Sequence, residues 1–379
     1  MNLSTFIKML VKHPIHDKLC HNHNKIIKTS KAMKQLLSKN RIISIKIPTC
    51  LRSFRTAPNL KYCTHPPKMA RVLKLNNGTQ IPVVGLGTYK SPPGQVQQAV
   101  KDAVSVGYRH IDCAWFYENE AEVGEGLHAK IADGTIKRSD VFITSKIWNN
   151  HHAKEKVVPM LKDSLSKLKL DYVDLYLVHW PMGFKETAPS LPTDASGYSD
   201  VDYLETWEGM EECVRLGLTK SIGLSNFNSE QVERVVTNCK IKPVVNQVEV
   251  NPNINQKKLI KFCKDRDIVV VGFCPLGRSN YAGRPGFPSP TIHDPEVIKM
   301  GEKYNKTAAQ VVLNYLVSLG VVVIPKSVTK SRIEENFDIF DFTLDKNDVA
   351  YLDSCNKNER CSPQTAYKDH KYFPFSIEF

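Results

Sequence analysis

The chain has 379 residues, 41% hydrophobic and 24% charged, which gives apolar material for one large globular domain or two small ones and excludes a chain disordered throughout. Its formal net charge is +13, yet fourteen of the 52 basic residues and one of the 39 acidic ones fall within 1–68, so 69–379 is electrically balanced. A balanced globular part offers no overall field to nucleic acid or an anionic surface, and no apolar run approaches the roughly 20 residues that span a bilayer.

The basic segment comes first. Residues 1–12 can place Leu3, Phe6, Ile7 and Leu10 on one helical face with the lysines off it, which together with the lack of acids resembles a mitochondrial presequence. The segment is long for that role and richer in Lys than Arg, so a second reading stands beside it: a disordered leader ahead of a domain whose translation or maturation starts at Met69. The expected organisation is therefore a disordered basic extension, 1–68, and a domain, 69–379, cytoplasmic under the second reading and mitochondrial under the first. His21 and His23 have no companion ligands, and no metal site is expected. The ten cysteines, Cys20, Cys50 and Cys63 among them, form no C-x-x-C pair or framework and read as small hydrophobes in a reducing compartment.

From Arg71 the texture changes. Two short runs, 72–75 and 79–83, flank Asn76-Asn77-Gly78 and predict a hairpin. Eight apolar runs follow, at 84–88, 110–114, 141–146, 173–180, 221–226, 244–250, 268–276 and 321–327. Amphipathic stretches separate them at 95–106, 120–132, 154–168, 203–216, 230–238, 256–265 and 307–319, and a last one begins near Ser331. Strands apolar nearly throughout, alternating with helices, predict an α/β fold with a helix-covered parallel sheet. Eight units in about 250 residues is the size of a (β/α)8 TIM barrel, with the hairpin plugging its N-terminal end. The alternative, a doubly wound dinucleotide fold, requires G-x-G-x-x-G after the first strand; Gly85-Leu86-Gly87-Thr88-Tyr89-Lys90 has Lys at the third glycine position.

In such a barrel chemistry gathers at the C-terminal ends of the strands. Asp112 ends the second, Tyr117 lies in the loop after it, Lys146 ends the third and His179 the fourth. Singly these read as a helix cap, a rim aromatic, a solvated amine and a core histidine. Jointly they form an acid system, in which an ammonium beside a phenol favours the phenolate and lowers the pKa of Tyr117, while Asp112 orients Lys146.

Three motifs carry a resemblance. Gly107-Tyr108-Arg109-His110-Ile111-Asp112-Cys113-Ala114 is followed by Glu120 and Gly124; the others are Ile222-Gly223-Leu224-Ser225-Asn226-Phe227 and Ile324-Pro325-Lys326-Ser327 with Arg332 and Asn336 in register. Over 69–379 the chain resembles the aldo-keto reductase superfamily, close to its aldose and aldehyde reductase branch.

The resemblance implies an NADPH-dependent reductase of small-molecule aldehydes or ketones, a monomer. Tyr117 would be the general acid, Lys146 its pKa-lowering neighbour, Asp112 the partner of Lys146, and His179 the residue that orients the carbonyl oxygen. It also implies that Ser225, Asn226 and Gln247 bond the carboxamide, Phe273 stacks on the nicotinamide with Leu276 nearby, Lys326, Ser327 and Arg332 hold the 2′-phosphate, and Glu335 and Asn336 reach the adenine. Tyr89, Trp148, His179 and Trp180 would line the substrate pocket, rimmed by loops 183–203 and 278–294 and the tail 355–379. His179 sets the chain apart from the steroid double-bond reductases of the family, which resemble it but have Glu there. Departures from the family pattern are Phe273 for Tyr, Cys274 for Ser, Tyr89 for Trp and Asn251 for His. A cofactor-binding regulatory protein on the same fold, with little turnover, is the alternative reading.

Overall fold

The computed structural model describes residues 71–278, 283 and 285–379. The readings of 1–68 and of Met69 as a start lie outside these residues, as does part of the 278–294 rim.

Eight strands form one parallel sheet: β3 (Leu86–Gly87), β4 (His110–Asp112), β5 (Phe142–Ile147), β6 (Leu175–Val178), β7 (Ile222–Ser225), β8 (Val245–Glu249), β9 (Val269–Phe273) and β10 (Val322–Val323). Each bonds to its neighbour in sequence. Parallel bridges Val84–Val323 and Gly87–Lys326 then join the first to the last, with Gly85 N–H donating to Val323 O and Gly87 N–H to Pro325 O. The first and last strands are shorter than the sequence predicts. At this seam the ladder reduces to isolated bridges, and Pro325 has no N–H to contribute. Closure also demands a bare backbone: a Cβ on Gly87 would lie 2.7 Å from Ile324 O.

The helices between strands are α1 (Val96–Val106), α2 (Glu120–Ala132), α3 (Lys154–Leu168), α4 (Tyr203–Arg215), α5 (Ser229–Asn238), α6 (Lys257–Lys264), α7 (Pro295–Tyr304) and α8 (Ala308–Ser318), with α9 (Lys330–Phe337) and α10 (Lys346–Ser354) after β10. The sequence reading missed α7 and α10. Both carried a start signal: Asp294 caps Glu296 N–H ahead of Pro295, and Asp345 caps Asn347 and Asp348 N–H. In α7 the helical spacing of Val297, Met300, Gly301 and Tyr304 was also there to be read, whereas the amphipathic pattern of α10 is weak.

The hairpin forms as predicted. β1 (Val72–Lys74) and β2 (Gln80–Pro82) pair in the register Leu73–Ile81, with Gly78 in the turn at φ 88°. Asn76 donates to Pro243 O and Asp267 O, and Asn77 to Ser221 Oγ, groups that lie just before β8, β9 and β7 begin. The hairpin is thereby fastened across the N-terminal end. It sends Leu75 and Ile81 into the barrel against Phe142, Leu175, Leu177, Val245, Val271 and Val322. Full burial of each such side chain contributes about 1.5–3 kcal/mol. With the lower barrel filled this way, polar chemistry is confined to the opposite mouth.

Candidate active site

Lys146, near the end of β5, is fully buried, and its ammonium has three acceptors: Asp112 Oδ1 at 2.6 Å, Cys113 O at 2.9 Å and Tyr117 Oη at 3.3 Å. An ammonium has three donors, so all are used. The other oxygen of Asp112 accepts from Gln247 Nε2 at 2.8 Å. Tyr117 closes a short 3-10 turn, Trp115–Tyr117, after β4. Because its oxygen accepts from Lys146, its own proton is directed elsewhere. His179 follows β6, its ring edge-on to Tyr117 at 5.6 Å and to Trp148 at 5.0 Å. Its Nδ1 is buried with no partner among the described residues, and Asn226 Nδ2 holds its carbonyl oxygen at 2.9 Å.

The structure corrects one expectation. Burial, followed by the Asp112 carboxylate, pushes the Tyr117 phenol well above its ordinary range rather than below it. Loss of solvation penalises a phenolate, and the ammonium that would stabilise one is largely balanced by Asp112. The phenol therefore stays protonated at neutral pH, the state a proton donor needs. His179 is depressed well below its usual value, by burial first and then by Lys146, so its imidazole is neutral.

Burial also lowers His110 to about 4 and His152 to about 3. As pH falls through about 6.5 the unfolded chain takes up these protons before the folded one does. Stability should therefore be complete above about pH 6.5 and decline toward pH 4 by about 1.4 kcal/mol per pH unit for each of His110, His152 and His179. Urea midpoints between pH 7.5 and 5 check this; a flat series would contradict it.

A cavity of about 790 Å³ runs from Asp112, Tyr117 and His179 across the barrel mouth. Every residue expected at the site lines it except Lys146, which lies behind Asp112 and Tyr117. At the near end stand Tyr89, Trp148 and Trp180. Further along, Ser225 Oγ donates to Gln247 O and Asn226 Nδ2 to Ser225 Oγ, with Asn226 left-handed at φ 64°. One of the two amide N–H groups of Gln247 is committed to Asp112, which leaves its second N–H and its oxygen for a ligand. Phe273 and Leu276 form the next wall, and Lys326, Ser327, Arg332, Glu335 and Asn336 the far end. Burial lowers the Lys326 pKa, and no carboxylate among the described residues pairs with Lys326 or Arg332. Two cations without a counter-charge, at the start of α9, suit a phosphate monoester.

Sequence reasoning missed Phe116, which stacks on Trp148 at 3.7 Å; Leu191, Arg278 and Tyr367 in the lining fall within the rim segments it named but were not singled out. The run Trp115-Phe116-Tyr117 was the available signal for the first; the others sit in loops without periodicity.

The model of the aldo/keto reductase family matches residues 83–357. Mouse aldo-keto reductase family 1 member D1 is 44% identical over 316 residues, covering 81% of this chain and 97% of that protein. Mouse estradiol 17 beta-dehydrogenase 5 is 45% identical, covering 82% and 98%. Among solved structures, a Bombyx mori aldo-keto reductase in complex with NADP is 42% identical with a TM-score of 0.75, covering 81% of this chain and 99% of that one. The aldose reductase of Schistosoma japonicum is also 42% identical at a TM-score of 0.75, covering 82% and 100%. With the closed barrel and its mouth as described, the chain belongs to the aldo-keto reductase family.

Proposed function

We propose that the protein is an NADPH-dependent reductase that converts aldehydes or ketones to alcohols, with Tyr117 as proton donor. The observation that carries this reading is the Tyr117 hydroxyl, bonded to a buried ammonium at 3.3 Å and facing a cavity that ends at Lys326 and Arg332. Ser225, Asn226, Gln247 and the Phe273 ring would hold the nicotinamide; Lys326, Ser327 and Arg332 the 2′-phosphate; and Glu335 and Asn336 the adenine. When bound, the dihydronicotinamide supplies a hydride to the carbonyl carbon.

The chain's own residues then do the following. Tyr117 gives its proton to the carbonyl oxygen as negative charge builds there, and Lys146 stabilises the phenolate left behind. The neutral His179 holds the same oxygen and orients it. Asp112 and Gln247 keep Lys146 in place. The near wall is mainly aromatic and apolar, Tyr89, Phe116, Trp148, Trp180, Leu191 and Tyr367, with Lys90 and Arg278 also in the cavity lining, which favours apolar or planar carbonyl compounds. Turnover of such a panel, followed by loss of NADPH absorbance, tests the reading; tight NADPH binding without turnover on any of them would overturn it.

The cofactor assignment has its own test. Lys326→Met should raise the KM for NADPH about tenfold or more, the equivalent of about 1.4 kcal/mol, and leave that for NADH nearly unchanged. An equal change for both cofactors would remove the 2′-phosphate from this corner.

A further inference from the structure

The turn that carries Tyr117 is fastened from both sides. Thr88, just after β3, holds its two ends: Thr88 Oγ1 donates to Asp112 O at 2.9 Å, and Asn119 Nδ2 donates to Thr88 O at 2.9 Å. Between those ends the chain reverses at Glu118, left-handed at φ 56°, a conformation that persists in an L-residue only where its surroundings impose it. The far end of the turn meets β5, the strand that carries Lys146, through Glu120, the first residue of α2: Ser145 Oγ donates to Glu120 Oε1 at 2.6 Å. Ser145 and Lys146 are adjacent on β5, so their side chains leave opposite faces of the sheet, Lys146 into the barrel and Ser145 toward α2. Glu120 is only 2% exposed, and its Oε2 has no hydrogen-bond partner among the described residues. Burial raises its carboxyl above the ordinary range. An apolar side chain would serve packing better, because a buried polar oxygen without a partner costs stability. What the other oxygen holds accounts for the residue.

We propose that Glu120 and Ser145 are positioning residues for carbonyl reduction: their hydrogen bond fixes the turn that bears Tyr117 against the strand that bears Lys146, and so sets the 3.3 Å contact between phenol and ammonium. The inference rests on the reading of Tyr117 as proton donor. Other ties reach the same turn without fixing that distance. Phe116 stacks on Trp148 with ring centroids 3.7 Å apart, and stacked rings slide with little loss of contact. Trp115 Nε1 donates to Asp163 Oδ2 at 2.7 Å, which ties the turn to a partly exposed residue of α3 and not to β5. The bond from Cys113 N–H to Thr144 O, at 2.9 Å, holds only the start of the segment.

Neither residue lines the cavity, so both act through Tyr117 and touch neither substrate nor cofactor. Without their bond the turn drifts from β5 and the ammonium stands farther from the oxygen on which charge develops. Its stabilisation of the departing phenolate falls with that distance, and the proton leaves more slowly. The bond needs an acceptor opposite Ser145 and no charge on it, so an amide in place of the carboxyl keeps the clamp.

The test is the single-turnover rate of carbonyl reduction by the full chain loaded with NADPH. Glu120→Leu and Ser145→Ala should each lower the rate constant about tenfold and leave the dissociation constant for NADPH unchanged. Glu120→Gln should keep most of the rate, and the double variant Glu120→Leu/Ser145→Ala should be no slower than the slower single one. A residue that matters only for folding reduces the amplitude of the turnover and leaves both its rate constant and its solvent deuterium isotope effect alone. A misplaced acid enlarges that isotope effect, because proton donation becomes the slower event. Unchanged rate constants in both single variants, additive losses in the double variant, or Glu120→Gln as slow as Glu120→Leu would overturn the proposal. Tyr117→Phe is measured beside them. Full activity there removes the proton donor and this inference with it, whereas a slow Tyr117→Phe beside fully active Glu120→Leu and Ser145→Ala removes the clamp alone.

Discussion

Tyr117→Phe should lower kcat by about 10²- to 10⁴-fold and leave the dissociation constant for NADPH unchanged, because the substitution removes one acidic proton and nothing from the cofactor's walls. The fold should tolerate it. Among the described residues the phenol hydrogen-bonds Lys146, whose ammonium keeps Asp112 and Cys113 O as acceptors, so the loss of stability should not exceed about 1.5 kcal/mol. Stopped-flow turnover with a good carbonyl substrate, beside cofactor fluorescence titration, separates the two quantities. Full activity in this variant would remove Tyr117 from the chemistry. A parallel loss of cofactor binding would instead mean that the ring organises the cavity.

Lys146→Met should be costly to stability as well as to activity. Lys146 and Asp112 are both buried and 2.6 Å apart, so removing the ammonium leaves a carboxylate whose remaining side-chain donor is Gln247. Breaking a buried pair from one side costs about 3–5 kcal/mol, most of it the uncompensated charge. Changing Asp112→Asn in the same chain removes that charge and should restore much of the loss without restoring turnover. Urea midpoints of the two single variants and the double variant measure the coupling. Additive effects would show that the two groups do not act as a pair.

Much of the architecture could be read along the chain. Alternating apolar runs and amphipathic stretches announced eight strand-helix units, and Asn76-Asn77-Gly78 announced the hairpin, since both depend on local periodicity and turn chemistry. The edges were less legible. The ends of β3 and β10 depend on how the barrel seam closes across more than 200 residues of intervening chain, while α7 and α10 were signalled by their aspartate caps, and α7 also by the spacing of Val297, Met300 and Tyr304.

The sequence by itself determined which chemical groups stand at the ends of consecutive strands: Asp112, Lys146 and His179, with Tyr117 just beyond and Lys326 and Ser327 after the last. Position on a strand is a local property of the chain, and in a parallel barrel it dictates which mouth a residue reaches. Tertiary structure alone decided how those groups are charged and who holds them. Gln247 donates to Asp112, Phe116 stacks on Trp148, and Glu249 holds the backbone N–H groups of Cys361 and Ser362 from the C-terminal segment. The direction in which the Tyr117 phenol is shifted belongs to the same class, because desolvation sums the atoms of many distant segments and no short stretch of sequence contains that sum.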